Sequence, residues 1–369
     1  MSDTSASSYA ARLTELEREI VGVMRTFESI QENLRLGEVK ESQARLVEEV
    51  GDTLRRFDAQ FVPLEPPSDK KELHGQVCAA VTELSRAYNL FMSPPNQQWT
   101  VAFLYSRRSF CRGLYALYEL RDALPLVNAH FLMAGASPPK WREASMGGTL
   151  TGFSHHARTQ EHGEYTLFVP DDYTSSKQWP LIVCLHGGYG EGFEYIWTWL
   201  RPGRSHGYIL LAPKSLGVTW EMTMHSPDTR SVLAMMREVG QQYSIDPARV
   251  YLTGLSDGGI FTYIMGLEQH QLFAGLSPVA GALHLGADPM LREGRGKELP
   301  LLVIHGVHDF IFPVTFTRQT CQLLKDLGYN VRYEELPEWG HAFPYSINER
   351  LVLPWFETLA LKTSGQRSD

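Results

Sequence analysis

Three residue types that together perform nucleophilic catalysis occur in order along this chain. Ser256 lies in a glycine-x-serine-x-glycine pattern, Asp309 follows a histidine-glycine pair, and His341 follows a tryptophan-glycine pair. A serine hydroxyl is a weak nucleophile that needs a base to take its proton. Histidine does this near neutral pH when a buried carboxylate orients its other ring nitrogen. The residues therefore predict Ser256 as nucleophile, His341 as base and Asp309 as the orienting acid.

A fourth turn, residues 186–190, carries three glycines in the sequence HGGYG. The tetrahedral intermediate of acyl transfer places negative charge on an oxygen, which preorganised N–H donors stabilise by roughly 3 to 4 kcal/mol each. Glycines allow the backbone of such a loop to turn its N–H groups toward a substrate. The pattern predicts an oxyanion loop.

All four turns follow predicted strands. From about residue 147, short aliphatic or β-branched segments alternate with helix-length segments, which indicates a mostly parallel sheet covered on both faces. The predicted strands are 149–154, 164–169, 181–185, 208–211, 249–252, 275–279, 301–304 and 331–335, and the predicted helices are 228–243, 257–269, 316–327 and 348–362. The first two strands have no helix between them and are expected to pair antiparallel. In such a sheet the site lies at the carboxyl ends of the strands, where the four turns fall.

The first 135 residues have the spacing of helices instead. Apolar side chains separated by threes and fours predict a first helix and a second, looser one at about 39–61. Prolines separate the second from two more helices, at about 68–92 with Ser68 as N-cap, and at about 98–124. Four such helices indicate an antiparallel bundle over residues 1–140. The alternatives are a coiled-coil arm that forms a homodimer and a bundle that also dimerises. The first apolar seam is Tyr9, Leu13, Leu16, Ile20, Val23, Phe27, Ile30 and Leu34.

Composition restricts the partners. The net charge is −8 with a pI near 5.9, which argues against nucleic acids and anionic membrane surfaces because both favour basic patches. The amino terminus lacks the apolar region of a secretory signal, and no segment has the length of a membrane span. The four cysteines form no CxxC pair, which favours free thiols in a cytoplasmic protein.

The four turns also carry a family resemblance. From about residue 147 to 363 the chain resembles α/β-hydrolases, in particular the phospholipase/carboxylesterase, feruloyl-esterase and polyhydroxybutyrate-depolymerase-like groups. The resemblance implies an α/β-hydrolase fold after the helical bundle, a chain order of nucleophile, acid and base that matches these enzymes, and no cofactor. It places the oxyanion donors at the amides of Gly188 and Asp257, with Tyr189 as the alternative to Gly188.

Some neighbouring residues have competing interpretations. Three other carboxylates compete with Asp309: Asp257 follows the nucleophile and is expected to point away from His341, and Glu335 and Glu338 lie too near His341 in sequence. His186 and His305 lie at strand ends, where a histidine more often braces a loop. His155 and His156 are adjacent in a predicted strand, so their side chains face opposite ways and do not indicate a metal site. Large apolar residues in or near the strand-end loops are candidates for a substrate pocket: Tyr189, Trp197, Trp199, Trp220, Met222, Met224, Phe310, Phe312 and Phe343.

Together these features predict a serine carboxylic ester hydrolase that acts through an acyl-enzyme on short-chain or aromatic, feruloyl-like esters. Trp220, Phe310 and Gly187 are the predicted substrate contacts. A prolyl-oligopeptidase-type peptidase shares the order of catalytic residues, but its extra domain is usually a β-propeller, and residues 1–140 contain no repeated strands. A non-catalytic binding protein that retains only the hydrolase fold is the third interpretation. Proteins that have lost their activity in this way usually lack one of the three catalytic residues, and this chain keeps all of them.

Overall fold

The computed structural model describes residues 2–93, 99–137 and 151–365. The chain forms two compact units, which divide between Leu132 and Met133. The predicted boundary at residue 140 lies outside the described residues and stays a prediction.

The described residues of the amino-terminal unit form helices and no strand. Its helices are α1 (Ser2–Asn33), α2 (Val39–Leu46), α3 (Asp52–Arg56), α4 (Lys71–Met92), α5 (Trp99–Glu119) and α6 (Pro125–His130). π-Helical turns, Val47–Gly51 and Phe57–Phe61, lie on either side of α3 and continue the helix. The short helix α6 was not predicted; it begins at Pro125, and proline is well tolerated in the first turn of a helix.

The apolar seam of α1 is buried within the single chain. Of its eight predicted members, Tyr9, Leu16, Ile20, Val23, Phe27 and Ile30 are buried, which favours an intramolecular bundle over an extended arm. The prediction of Ser68 as a helix N-cap is wrong. Ser68 begins a 3₁₀ turn, and α4 starts after Lys70 without a side-chain cap.

The carboxyl-terminal unit is built on an eight-stranded sheet in the order β1-β2-β4-β3-β5-β6-β7-β8. The strands are β1 (Gly152–His156), β2 (Tyr165–Val169), β3 (Trp179–Leu185), β4 (Ile209–Pro213), β5 (Ile245–Leu255), β6 (Gly275–Val279), β7 (Leu301–Gly306) and β8 (Val331–Leu336). β2 is antiparallel to both β1 and β4, and all other neighbours are parallel. The mostly parallel sheet and the antiparallel first pair were both predicted. The first residues of the predicted strand 149–154 lie outside the described residues.

In the described part of this unit, eight α-helices accompany the sheet. They are α7 (Gly192–Tyr195), α8 (Leu200–His206), α9 (Pro227–Gln242), α10 (Asp257–Glu268), α11 (Asp288–Glu293), α12 (Val314–Asp326), α13 (Tyr345–Ile347) and α14 (Leu353–Gly365). The central strands β3 and β6 are buried along their whole length, as expected for a sheet covered on both faces. This is the α/β-hydrolase fold.

Strand register brings the predicted site together. Leu185 at the end of β3 pairs with Gly254 of β5, and Leu255 of β5 pairs with Val279 of β6. Val279 in turn pairs with Ile304 near the end of β7. The turns after these strands therefore emerge side by side at one edge.

The structure bears on two predictions made from composition, those on the cysteines and on membrane-spanning segments. The four cysteines are thiols and not disulfides; Cys111, Cys184 and Cys321 are buried, and Cys78 is half-buried. No helix in the described part of the chain is long and apolar enough to cross a membrane.

Candidate active site

Ser256 occupies a strained turn between β5 and α10. Its backbone φ of 57° lies in the left-handed region, which costs a non-glycine residue about 1 to 3 kcal/mol and persists only where the surroundings enforce it. The Ser256 amide donates to the carbonyl of Val279 at 3.0 Å. A Cβ at Gly258 would overlap the backbone carbonyl of Leu185, so the turn needs glycine there to pack against β3. The turn is half-exposed at Ser256.

His341 bridges the other two predicted catalytic side chains. Its Nε2 lies 2.8 Å from Ser256 Oγ, and its Nδ1 lies 2.8 Å from Asp309 Oδ2. A carboxylate accepts hydrogen bonds, so Nδ1 carries the proton and Nε2 is left as the acceptor for the serine hydroxyl. The geometry is that of a nucleophile, its base and the group that orients the base.

The Asp309 side chain is fully buried and held by several donors. Its Oδ1 accepts from the amides of Ile311 and Phe312, both at 2.8 Å. Burial alone would raise the pKa of Asp309, but the hydrogen bond and charge of His341, with the Phe312 amide and His305, outweigh burial and lower the pKa below its ordinary value. Asp309 is therefore an anion at neutral pH.

His305 contacts Asp309 and the loop that follows it. It is fully buried, and its Nε2 lies 2.8 Å from the Phe312 carbonyl and 3.3 Å from Asp309 Oδ2. Its Nδ1 lies 3.0 Å from the Thr317 hydroxyl. Burial lowers the pKa of His305, which keeps it neutral, so it braces the loop around Asp309. His308 is exposed on the other side of this turn.

Two backbone amides beside Ser256 are free to hold an oxyanion. Neither the Gly188 amide nor the Asp257 amide donates a hydrogen bond to another residue of the described chain. The Tyr189 amide, the predicted alternative, donates to the Val218 carbonyl at 2.7 Å, which leaves Gly188 as the better placed donor in its loop. Asp257 is the first residue of α10, so its amide belongs to the unpaired first turn of a helix.

The oxyanion loop is supported by His186 and Trp220. The indole N–H of Trp220 donates to the His186 carbonyl at 2.8 Å, and the two rings lie 4.7 Å apart. His186 Nδ1 donates to the Gly187 carbonyl, and its Nε2 accepts from the Ser215 amide. Burial lowers the pKa of His186 to about 4, so it stays neutral. Trp220 is only 2% exposed and also stacks on Phe261, contacts that place it under the loop.

The other predicted substrate contacts lie at the surface of the site. An ideal Cβ on Gly187 would stand 3.3 Å from the Ser256 Cβ, so Gly187 leaves room beside the serine. Phe310 is 44% exposed, with its ring 6.0 Å from that of His341. Tyr189 is 66% exposed. Trp197 and Trp199, in contrast, are buried. Trp197 lies in a 3₁₀ turn after α7, Ile196–Thr198, that was not predicted, and Trp199 lies between this turn and α8.

No motif in the sequence marks the loop after β4. Residues 215–220 contact both the oxyanion loop and the serine turn, through Ser215, Val218, Thr219 and Trp220. Only Trp220 was predicted to take part. A hydroxyl residue and a backbone carbonyl in a loop have no spacing that would mark them.

No metal site accompanies these residues in the described ranges: no group of three or more His, Cys, Asp and Glu side chains is placed to hold an ion. His155 Nδ1 lies 3.1 Å from the Thr166 hydroxyl, and His156 stacks on Tyr165 with ring centroids 4.2 Å apart. Both histidines are thus engaged within the sheet edge.

Known proteins resemble the carboxyl-terminal unit. A family model described as Phospholipase/Carboxylesterase matches residues 222–350. Probable feruloyl esterase C of Aspergillus niger is 28% identical over 157 residues, 41% of this chain and 56% of that protein. Poly(3-hydroxyalkanoate) depolymerase C of Paucimonas lemoignei is 30% identical over 123 residues, 30% of each chain. A solved thermostable esterase is 26% identical, with a TM-score of 0.43 over 56% of this chain and 60% of its own.

The matched family segment contains Ser256, Asp309 and His341 but not the oxyanion loop. This chain spans about half the length of the curated relatives that it matches.

Proposed function

Because the carboxyl-terminal unit is an α/β-hydrolase domain with esterase relatives, we propose that the protein is a serine hydrolase of carboxylic esters. The observation that carries this proposal is the position of His341, 2.8 Å from both Ser256 Oγ and Asp309 Oδ2. That arrangement matches what an activated serine requires, and it is assembled from three separate loops.

In the first half of the reaction, Ser256 Oγ attacks the ester carbonyl while His341 Nε2 takes its proton. The carbonyl oxygen becomes an oxyanion, which the amides of Gly188 and Asp257 hold by hydrogen bonds. Asp309 stays ionised and stabilises the imidazolium that forms. The intermediate then collapses, His341 returns its proton to the leaving alcohol, and an acyl-enzyme remains on Ser256.

In the second half, water replaces the alcohol. His341 Nε2 takes a proton from the water as the water attacks the acyl carbonyl, and the same two amides hold the second oxyanion. Collapse breaks the bond to Ser256 Oγ, which recovers its proton from His341. The acid is released and the enzyme returns to its starting state without a cofactor.

The substrate class proposed is short-chain or aromatic esters, including feruloyl-like ones. Two supports are the exposed rings of Tyr189 and Phe310 beside the site and the similarity to proteins named as feruloyl esterases. Aromatic side chains at a site mouth offer apolar and edge-to-face contacts to an aromatic acyl group.

A series of p-nitrophenyl esters with acyl chains of increasing length, extended by methyl ferulate, tests the proposal. Wild type is expected to hydrolyse the short and aromatic members, and Ser256→Ala is expected to lose turnover by about 10⁴-fold or more because the nucleophile is gone. A fluorophosphonate probe should label wild type and leave Ser256→Ala unlabelled. Retained turnover in the variant would refute the mechanism, and a wild type that neither turns over nor labels would refute the activity.

Peptide p-nitroanilides separate the esterase from a peptidase with the same catalytic residues. The described residues of the amino-terminal unit form no strand, unlike the β-propeller usual for that peptidase class. We expect hydrolysis of esters and not of prolyl or acyl-peptide anilides; the reverse preference would replace the esterase proposal.

A further inference from the structure

The loop after β4, residues 215–220, holds the two halves of the candidate oxyanion hole together. One half is the Gly188 amide after β3, and the other is the Asp257 amide at the start of α10. The loop contacts the β3 side through three hydrogen bonds: Ser215 N to His186 Nε2 at 3.0 Å, Trp220 Nε1 to the His186 carbonyl at 2.8 Å, and Tyr189 N to the Val218 carbonyl at 2.7 Å. It reaches the serine turn through one side chain, Thr219.

Thr219 makes that contact with the Asp257 carboxylate. Its Oγ1 donates a short hydrogen bond to Asp257 Oδ2. The same Oδ2 lies 2.6 Å, and Thr219 Oγ1 lies 3.8 Å, from the position that a Cβ on Gly188 would occupy. The Thr219 hydroxyl, the Asp257 carboxylate and the Gly188 backbone therefore lie next to one another, close to both loops that carry the two amides.

We propose that Thr219 and the Asp257 side chain are positioning residues, which fix the separation of the Gly188 and Asp257 amides through their hydrogen bond. The inference rests on the proposed esterase function and adds two residues that act through the oxyanion hole. Asp257 would thus serve twice, since its amide faces the substrate oxygen while its carboxylate anchors the opposite loop.

Without the hydrogen bond from Thr219, the negative charge of the Asp257 carboxylate beside Gly188 would oppose catalysis. A carboxylate close to the Gly188 amide repels the negative charge that develops on the substrate oxygen, and like charges inside a partly desolvated site interact strongly. A hydroxyl that donates to the carboxylate draws its charge toward Thr219 and fixes its rotamer. Loss of the donor would therefore impair transition-state binding in two ways, through a looser amide pair and a less well screened charge.

The test compares Thr219→Val, which keeps the shape and removes the donor, with Thr219→Ser, which keeps the donor. Each is measured for kcat and KM on a p-nitrophenyl ester, for inhibition by an aryl trifluoromethyl ketone, and for thermal unfolding. The ketone forms a tetrahedral adduct with the serine and presents an oxyanion, so its inhibition constant reports on the hole. We expect Thr219→Val to lower kcat about tenfold at nearly unchanged KM, to raise the ketone's inhibition constant by a similar factor, and Thr219→Ser to restore both.

A double-mutant cycle with Asp257→Ala tests whether the two side chains act as one unit. The double variant is expected to be no slower than the slower single variant, since either change breaks the same hydrogen bond. Unchanged kcat and ketone inhibition in Thr219→Val would overturn the inference even if its melting temperature fell, as would independent effects that multiply in the double variant. A wild type without turnover and without fluorophosphonate labelling would instead count against the esterase proposal itself, so the two failures are distinguishable.

Discussion

The charge of Asp309 is set by two opposing effects, burial and hydrogen bonding. Its side chain is fully buried, which favours the neutral acid, yet two backbone amides and His341 contact its oxygens. The hydrogen bonds and the neighbouring charge outweigh burial, so the pKa of Asp309 is lowered from its ordinary value of 3.8. The proton on His341 is therefore held at Nδ1, and Nε2 is kept available for Ser256.

Asp309→Asn is expected to lower kcat on the order of 10³- to 10⁴-fold, with a smaller change in KM. The amide can donate to Nδ1, which favours the tautomer with the proton on Nε2 and removes its ability to accept from Ser256. Steady-state kinetics on a p-nitrophenyl ester measure this. A loss of less than tenfold would show that another group orients His341.

The same variant measures how much the charge of Asp309 contributes to the free energy of unfolding. Because the folded-state pKa is lowered, the charge of Asp309 stabilises the fold above about pH 3.8, and this contribution is lost as the pH falls through the folded-state pKa. The difference in free energy of unfolding between wild type and Asp309→Asn should thus narrow in acid. Denaturant titrations between pH 7 and 3 measure the trend.

The elements position these side chains by close backbone approach. At the carboxyl end of β7, a Cβ on Gly306 would overlap the Trp339 carbonyl. The neighbouring amides of Val307 and His308 donate to the carbonyls of Leu336 and Trp339, both at 3.0 Å. β7 and the segment after β8 are thus joined where one leads to the catalytic acid and the other to His341. A single glycine sets the distance between their turns.

Gly306→Ala is expected to destabilise the fold by about 2 to 3 kcal/mol and to lower kcat, because the added methyl group pushes the histidine loop outward. Gly240→Ala is the matched control. A Cβ at Gly240, on the exposed face of α9, meets nothing within 4 Å, so the same methyl group should stabilise by about 0.5 to 1 kcal/mol. Denaturant unfolding and ester kinetics compare the two, and equal effects would contradict the close-approach argument.

The sequence predicted the strands and the turns that follow them, but it missed the contacts between loops. Continuous apolar strands predicted the parallel sheet, and the residues that follow them predicted which turns meet at its edge. Thr219 was missed because its contact with Asp257 depends on the path of a loop that has no periodicity. Trp197 and Trp199 were interpreted as pocket candidates because the helical turns that contain or flank them, like α6, are too brief to show a helical repeat. Local patterns thus located the strand ends, whereas contacts between loops required coordinates.

Considered as a whole, the molecule contains two units that each have their own buried residues. In the amino-terminal unit, Phe27 of α1 is 2% exposed and stacks on Phe110 of α5 with ring centroids 5.0 Å apart. Most apolar side chains of the first seam are therefore buried by contacts within a single chain. A homodimer formed by the helical unit, which remains a proposal, would have to use another face of it.

Phe27→Ala tests this assignment of the seam. Removal of a buried ring is expected to destabilise the helical unit by about 3 to 5 kcal/mol, and since the lost contacts are intramolecular, its unfolding midpoint should not depend on protein concentration. Far-ultraviolet circular dichroism during heating, at two concentrations a hundredfold apart, measures this, with sedimentation equilibrium of wild type to give the oligomeric state. A midpoint that rises with concentration in wild type but not in Phe27→Ala would mean that the α1 seam pairs between chains, whereas an equal rise in both would place a dimer contact on another face, because mass action strengthens any intermolecular contact.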